Sequence, residues 1–302
     1  MIVRTEMPEL SYELDGEFFF GGFPESPYVV TNLDYGTAQL TTNDTIAPRG
    51  DGMLFGRDFR AGPEMIFSLA VVPEWPTFGN GIEATDLWGA FKSRWRSDKV
   101  RATPGAVQLL RMSRNGRIRR VYGRARRCDP QPEFDANGWW VGTASFQVMT
   151  DYFYGDEERT NTVSIVPPGA GGYLVPPDDP WTSIGVSYEP GVIHVGGTDP
   201  AWMTFMIRGP IVRPVIEVVG HWAIGLNLVL HEGEWVGIDS RPWQRGVRTS
   251  AGVEIGGALL PGSPVLSAVK LDPGSYEVVL RGTSEEGTAS MTAAWRETYS
   301  VI

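Results

Sequence analysis

The residues best placed to do chemistry are arginines. In VQLLRMSRNGRIRRVYGRAR, Asn115-Gly116 suits a type I′ turn, whose two central residues both need positive φ, so the flanking runs should form a hairpin. The turn sets a register: Arg114 opposite Arg117, Met112 opposite Arg119, Arg111 opposite Arg120, Leu110 opposite Val121, and Leu109 opposite Tyr122. The base is apolar and the tip is basic. Like charges directly opposite one another are destabilising by a few tenths to about 1 kcal/mol, a cost that an acidic partner surface would relieve. Three readings fit the arginine tip: a solvated end, a contact between subunits, and a phosphate contact to nucleic acid.

Other candidate chemistry is sparser. His194, His221 and His231 are the only histidines and lack the close spacing of a helical zinc motif, so no metal site is expected. GGTDPAW and GAGGY are glycine-rich without the strand-to-helix context that phosphate binding requires, and no Gly-x-Ser-x-Gly elbow occurs. Neither a cofactor site nor a catalytic residue is expected. Glu232, Glu234 and Asp239 cluster in HEGEWVGID, but glycoside hydrolysis needs two carboxyls of divergent acidity across a sugar cleft. Glu232-Gly233-Glu234 reads instead as a hairpin turn into a strand from Trp235 to Ile238. Trp235 is the one candidate for stacking on a sugar. Cys128, the sole cysteine, excludes an intrachain disulfide and reads as an inert thiol.

The elements that must position these residues are mostly strands. Gly (37) and Pro (23) punctuate a chain of 302 residues, which favours many short strands over a few long helices. One amphipathic helix is expected over about 83–96, where Ile82, Leu87, Phe91 and Trp95 lie mostly four apart with Trp88 adjoining. Its aromatic face reads as a core face. VPPGAGGYLVPPDDP, Val166 to Pro180, is a proline-flanked glycine cluster that neither helix nor sheet interior could continue. It is expected to link a domain over 1–165 to one over 181–302. In the latter, apolar runs recur at Trp202–Ile207, Val215–Val219, Leu226–Leu230, Glu234–Ile238, Tyr276–Leu280 and Ser290–Trp295, the spacing of a β-sandwich.

Composition narrows function. Hydrophobic residues make up 42% and charged residues 21%, ordinary for a globular chain. The net charge of −10 argues against general nucleic-acid binding and favours subunit contact for the arginine tip, because neighbouring copies would supply acidic surface. The N-terminal ten residues lack the apolar core of a signal peptide, and no run of about 18 apolar residues suggests a membrane span.

Taken in order, several stretches resemble the distal tail protein family of siphophages, the minor tail protein type found in phages of actinobacteria. These are FGRDFRAGPEMIFSLAV, the helix ending FKSRWRSD, the hairpin running into RRVYGRARRCDP, and FQVMTDYFYGDEE, followed by IRGPIVRPVIEVV, HEGEWVGIDSRPWQRGV, LDPGSYEVVLRG and ASMTAAWRETY. The resemblance covers nearly the whole chain. It implies a mainly β protein with an N-terminal ring-forming, tube-like domain and a C-terminal galectin-like sandwich. It also implies a non-enzymatic virion protein at the distal tail end, synthesised in the host cytoplasm. The implied assembly is a ring, in the family hexameric, between the tail tube protein and the tail-associated hub protein, sometimes docking receptor-binding or other minor tail proteins. DNA would pass through its lumen unread. Arg111, Arg114, Arg117, Arg119 and Arg120 are the candidate contacts to a neighbouring subunit or the tube. The alternative is a carbohydrate-binding adhesion module using Trp235, although His221-Trp222-Ala223 and His231-Glu232-Gly233 do not reproduce the sugar motif of true galectins.

Overall fold

The computed structural model describes residues 6–72, 84–131, 140–165, 191–284 and 287–302. The chain is mainly β and divides into two compact units, Met1–Asp156 with Tyr299–Ile302, and Glu157–Thr298.

The first unit contains β1 (Ser11–Leu14), β2 (Phe18–Gly21), β3 (Tyr28–Asp34), β4 (Leu40–Thr41), β5 (Thr45–Ile46), β6 (Met53–Leu54), β7 (Phe59–Arg60), β8 (Glu64–Val71), α1 (Ala84–Arg96), α2 (Asp98–Ala102), β9 (Gln108–Arg114), β10 (Arg117–Gln131), β11 (Trp140–Val148) and β12 (Phe153–Gly155). Its main sheet runs β2-β1-β9-β10-β11-β8-β3, with β12 added along β10. Helix α1 falls where its periodicity predicts, although Ile82 and Glu83 lie outside the described residues. Its core stripe is Ala84, Trp88, Phe91 and Trp95, with Leu87 only half-buried. That stripe meets Phe18, Phe20, Tyr28 and Phe67 from the sheet, mostly edge to face at centroid distances of 5.2 to 5.8 Å. Aromatic pairs prefer such packing, which adds about 0.5–1.5 kcal/mol per pair beyond area burial. A core of this kind fixes one sheet face and leaves the other free to carry charge.

The second unit contains β13 (Arg159–Ser164), β14 (Gly191–Val195), β15 (Ala201–Arg208), β16 (Ile211–Val218), β17 (Trp222–Gly225), β18 (Val229–Leu230), β19 (Trp235–Asp239), β20 (Gly246–Thr249), β21 (Lys270–Leu271), β22 (Gly274–Thr283) and β23 (Ser290–Trp295); β24 (Thr298–Tyr299) spans the return to the first unit. Two antiparallel sheets, β13-β23-β15-β19-β20 and β14-β22-β16-β17, enclose a core that draws Met203, Phe205, Ile207, Val236, Ile238, Met291 and Ala293 from one and Ile193, Ile216, Val218, Val278 and Leu280 from the other. This is the expected sandwich.

Three expectations need correction. The linker at 166–180 lies outside the described residues, and the units divide at Asp156 rather than at residue 165, because Arg159–Ser164 pairs along its whole length with Ser290–Trp295 of the second unit. The turn at Glu232-Gly233 exists, with Gly233 at φ 79° and the Glu234 N–H donating to His231 O at 3.1 Å, yet it is not a hairpin. Val229–Leu230 before it joins one sheet and Trp235–Asp239 after it joins the other. Of the expected run Leu226–Leu230, only its last two residues form a strand.

Candidate functional site

The arginine hairpin forms with every pairing that its turn predicts, from Arg117 opposite Arg114 to Tyr122 opposite Leu109. Asn115 and Gly116 take φ values of 53° and 68°, as a type I′ turn demands. The Glu9 carboxylate fixes the turn from outside, accepting the N–H of Asn115 at 2.7 Å and that of Gly116 at 3.3 Å.

The repulsion across the hairpin is neutralised from within the first unit. The Arg111 side chain is 1% exposed and sits between two carboxylates: Nη1 donates to Glu13 Oε1 at 2.6 Å, while Nε and Nη2 donate to Asp156 at 2.9 and 2.6 Å. Arg120, directly opposite, shares Asp156, donating through Nε at 3.1 Å to the carboxylate and through Nη2 at 2.8 Å to its backbone carbonyl. Arg114 donates to the Tyr35 hydroxyl at 2.7 Å, and the Arg119 guanidinium lies 3.5 Å from the Tyr299 ring centroid. Only Arg117 of the five is exposed. The structure therefore gathers four of the five candidate contact residues into contacts of their own unit, and Arg111 has no face left for a neighbour.

Burial opposes charge on Asp156, but the hydrogen bonds and charges of Arg111 and Arg120 outweigh it and hold its carboxyl below the ordinary aspartate range. A carboxyl depressed on folding contributes stability that is fully present above the unfolded value of about 3.9 and is lost as pH falls through the folded value. Asp15 acts in the opposite sense, since burial raises its carboxyl despite hydrogen bonds from Leu109 N–H and Gln108. The first unit should consequently lose stability on acidification below about pH 4, with a slope that Asp156→Asn removes. Urea titrations of both proteins at pH 7 and pH 3 measure the difference; equal slopes would disconnect Asp156 from acid stability. Burial likewise pushes the Cys128 thiol up to about 11, as fits an inert side chain.

A second feature of this unit escaped the sequence reading. Between β3 and β8 the chain runs out as a two-stranded arm, β4 pairing β7 and β5 pairing β6. Cross-links hold its register: Asn43 Nδ2 donates to Arg57 O at 3.1 Å, the Gly56 N–H donates to Asp44 Oδ1 at 3.0 Å, and the Ala61 N–H donates to Gln39 O at 2.9 Å. Gly56 is required there, because a Cβ would collide with the Asn43 carbonyl. The arm is apolar and uncovered: Ile46 is 75% exposed and Phe55 83%, with Leu40, Met53, Leu54 and Phe59 all more than half exposed. Only the turn residues of Ala47-Pro48-Arg49-Gly50-Asp51-Gly52, set between two short apolar runs, hinted at it.

In the second unit Trp235 stands half-buried on the outward side of β19, whose Val236 and Ile238 point into the core. The histidines are held separately: His194 Nδ1 is 2.8 Å from Ser275 Oγ, His221 packs edge to face on Tyr276, and the His231 N–H donates to Glu234 at 2.8 Å.

No protein-family model and no curated protein matches the sequence. Among solved structures, the chain is similar to the Dit protein of phage SPP1, described as a paradigm of hub adsorption apparatus in phages infecting Gram-positive bacteria. The TM-score is 0.56 at 14% identity, over 96% of this chain and 98% of that one. It is also similar, at a TM-score of 0.49 and 10% identity, to a chain of the phage P2 baseplate in its activated conformation, over 94% of this chain and 97% of that one. The likeness to the SPP1 protein establishes a shared fold over both units, and the resemblance read from segment order is met at that level.

Proposed function

We propose that this chain is a structural protein of a phage tail tip, whose first unit closes with further copies into a ring, hexameric as the family resemblance implies, joining the tail tube protein to the tail-associated hub protein. The observation that carries the reading is the uncovered apolar arm. An isolated two-stranded ribbon is marginally stable in water, and six exposed apolar side chains on one call for a covering surface. In a closed ring every copy presents two different side surfaces, so an arm on one can lie on its neighbour at each interface without a free end. The shared fold with the SPP1 hub protein supports the same reading. The arginine hairpin then serves as internal bracing, with Arg117 the member open to a neighbour. The second unit docks peripheral tip proteins, DNA passes the lumen unread, and the chain acts by geometry rather than by turnover.

Antibody labelling of intact particles in negative stain tests this without requiring the isolated chain to assemble. Label confined to the distal end of the tail, at its junction with the tip, is the expected result. Label along the tube, on side fibres, or absent from particles would overturn it.

A further inference from the structure

The outward face of the sheet β13-β23-β15-β19-β20 carries a groove of about 680 Å³, within the roughly 300–1,000 Å³ usual for small-ligand sites. Its floor is low because the cross-strand positions there are small. Gly237 lies opposite Met206 and Arg248, Gly246 opposite Asp239, and Ala294 opposite Thr204. Gly237 has a particular consequence: the Trp235 indole lies over it, Cζ3 3.4 Å from where a Cβ would stand, so the ring rests beside the floor instead of being pushed off the sheet. Trp235 is thus an apolar wall.

The opposite wall is polar and already paired. Arg241 grips Asp239 through Nε at 3.0 Å and Nη2 at 2.6 Å, and its Nη2 also donates to Gln244 Oε1 at 3.1 Å. Arg248 is paired with Glu254 at 2.9 Å. Donors and acceptors therefore sit at fixed positions with their charges cancelled, and Glu158 at the lining is itself paired with Arg296 at 3.6 Å. Among the described residues Arg208 is the one lining cation that meets no carboxylate. An apolar ring face beside a rim of neutralised, oriented hydrogen-bonding groups matches a pyranose, which has an apolar C–H face and a rim of hydroxyls that both donate and accept. An acidic ligand would find one uncommitted cation. A protein helix would need a wider apolar strip than Trp235, Met206 and Ala294 provide.

We propose that this groove binds a neutral saccharide, with Trp235 stacking on a sugar ring and the Asp239–Arg241–Gln244 cluster reading its hydroxyls. This function goes beyond assembly and does not depend on it, because every residue involved belongs to the second unit.

The test titrates the full chain with neutral oligosaccharides (maltotetraose, cellotetraose, β-1,4-galactotetraose and chitotetraose) by calorimetry and saturation-transfer NMR. At least one should bind with a Kd at or below about 1 mM, weakened about tenfold or more by Trp235→Ala. Ala294→Trp fills the floor from the solvent side without touching the core, and should abolish binding while leaving the thermal transition in place, which separates occupancy from folding. No binding by any of the four at about 10 mM, or binding unchanged in both variants, would overturn the proposal. Capture of a hexaglutamate peptide instead, lost in Arg208→Ala, would overturn it in favour of an acidic peptide groove.

Discussion

Arg111→Met is expected to destabilise the first unit by about 3–5 kcal/mol, the cost of breaking a buried ion pair from one side. The substitution leaves the Glu13 carboxylate, 3% exposed, without the guanidinium that is its partner, and strips Asp156 of one of its two arginines. An unpaired charge at that depth is far more costly than the hydrogen bonds lost. Arg117→Ala, three residues past Arg114 at the exposed turn, should change stability by less than about 0.5 kcal/mol. The companion variant is Glu13→Met with Arg111→Met, which removes both charges, leaves Arg120 on Asp156, and should recover most of the loss, since apolar replacements of whole buried pairs are often neutral. Hydrogen exchange at the β9 and β10 amides under increasing urea reads the first unit separately from the second. A loss below about 1 kcal/mol in Arg111→Met would mean that water reaches the cluster and that the hairpin repulsion is relieved by solvent.

That contrast explains what could be read from the sequence and what could not. The hairpin register follows from a local signal, because Asn-Gly dictates the turn and the turn dictates which residues face each other. Helix α1 and most sandwich strands follow from periodicity, again a local property. What neutralises the arginines is non-local: Glu13, on β1, is 98 residues from Arg111, and Asp156, just after β12, is 45 away, an adjacency that no spacing reveals. The same reason displaced the unit boundary. Arg159–Ser164 looks like any strand until its pairing with a segment 130 residues later assigns it to the second unit. The groove was half legible: Trp235 stood out as the candidate for stacking on a sugar, whereas Arg241 and Gln244 join it from the turn after β19 and Ala294 through cross-strand register. The arm was missed for a different physical cause. Its apolar residues are more than half exposed and lie on or beside strands of only two residues, so they show neither the period of a helix nor a strand with a buried face.

Because they are exposed and belong to neither core cluster, the arm residues separate folding from assembly. Ile46→Asp with Phe55→Asp should leave the thermal unfolding of the isolated chain unchanged to within about 0.5 kcal/mol, since neither side chain contributes to a core cluster. Assembly should respond strongly. Burying an isoleucine or phenylalanine is worth about 1.5–3 kcal/mol, and placing a carboxylate there adds a desolvation cost, so each interface should weaken by more than about a hundredfold. The loss recurs at every interface of a closed ring, and closure amplifies it, because a ring missing one contact is an open chain with two exposed ends. The measurement is incorporation of the variant into particles when it replaces the resident protein, alongside sedimentation of the purified chain; the first readout stands even if ring closure needs the hub as a template. Tails that end without this protein, from a variant that folds as well as the parent, are the expected result. Normal incorporation would remove the arm from the ring contacts and leave the proposed assembly without the observation that carries it. Asp44→Ala with Asn43→Ala loosens the ribbon without changing its apolar surface, through the hydrogen bonds to Gly56 and Arg57. If the arm acts as a preformed clasp, these two should slow assembly while leaving the final ring intact; if it folds only against its neighbour, they should have no effect on rate.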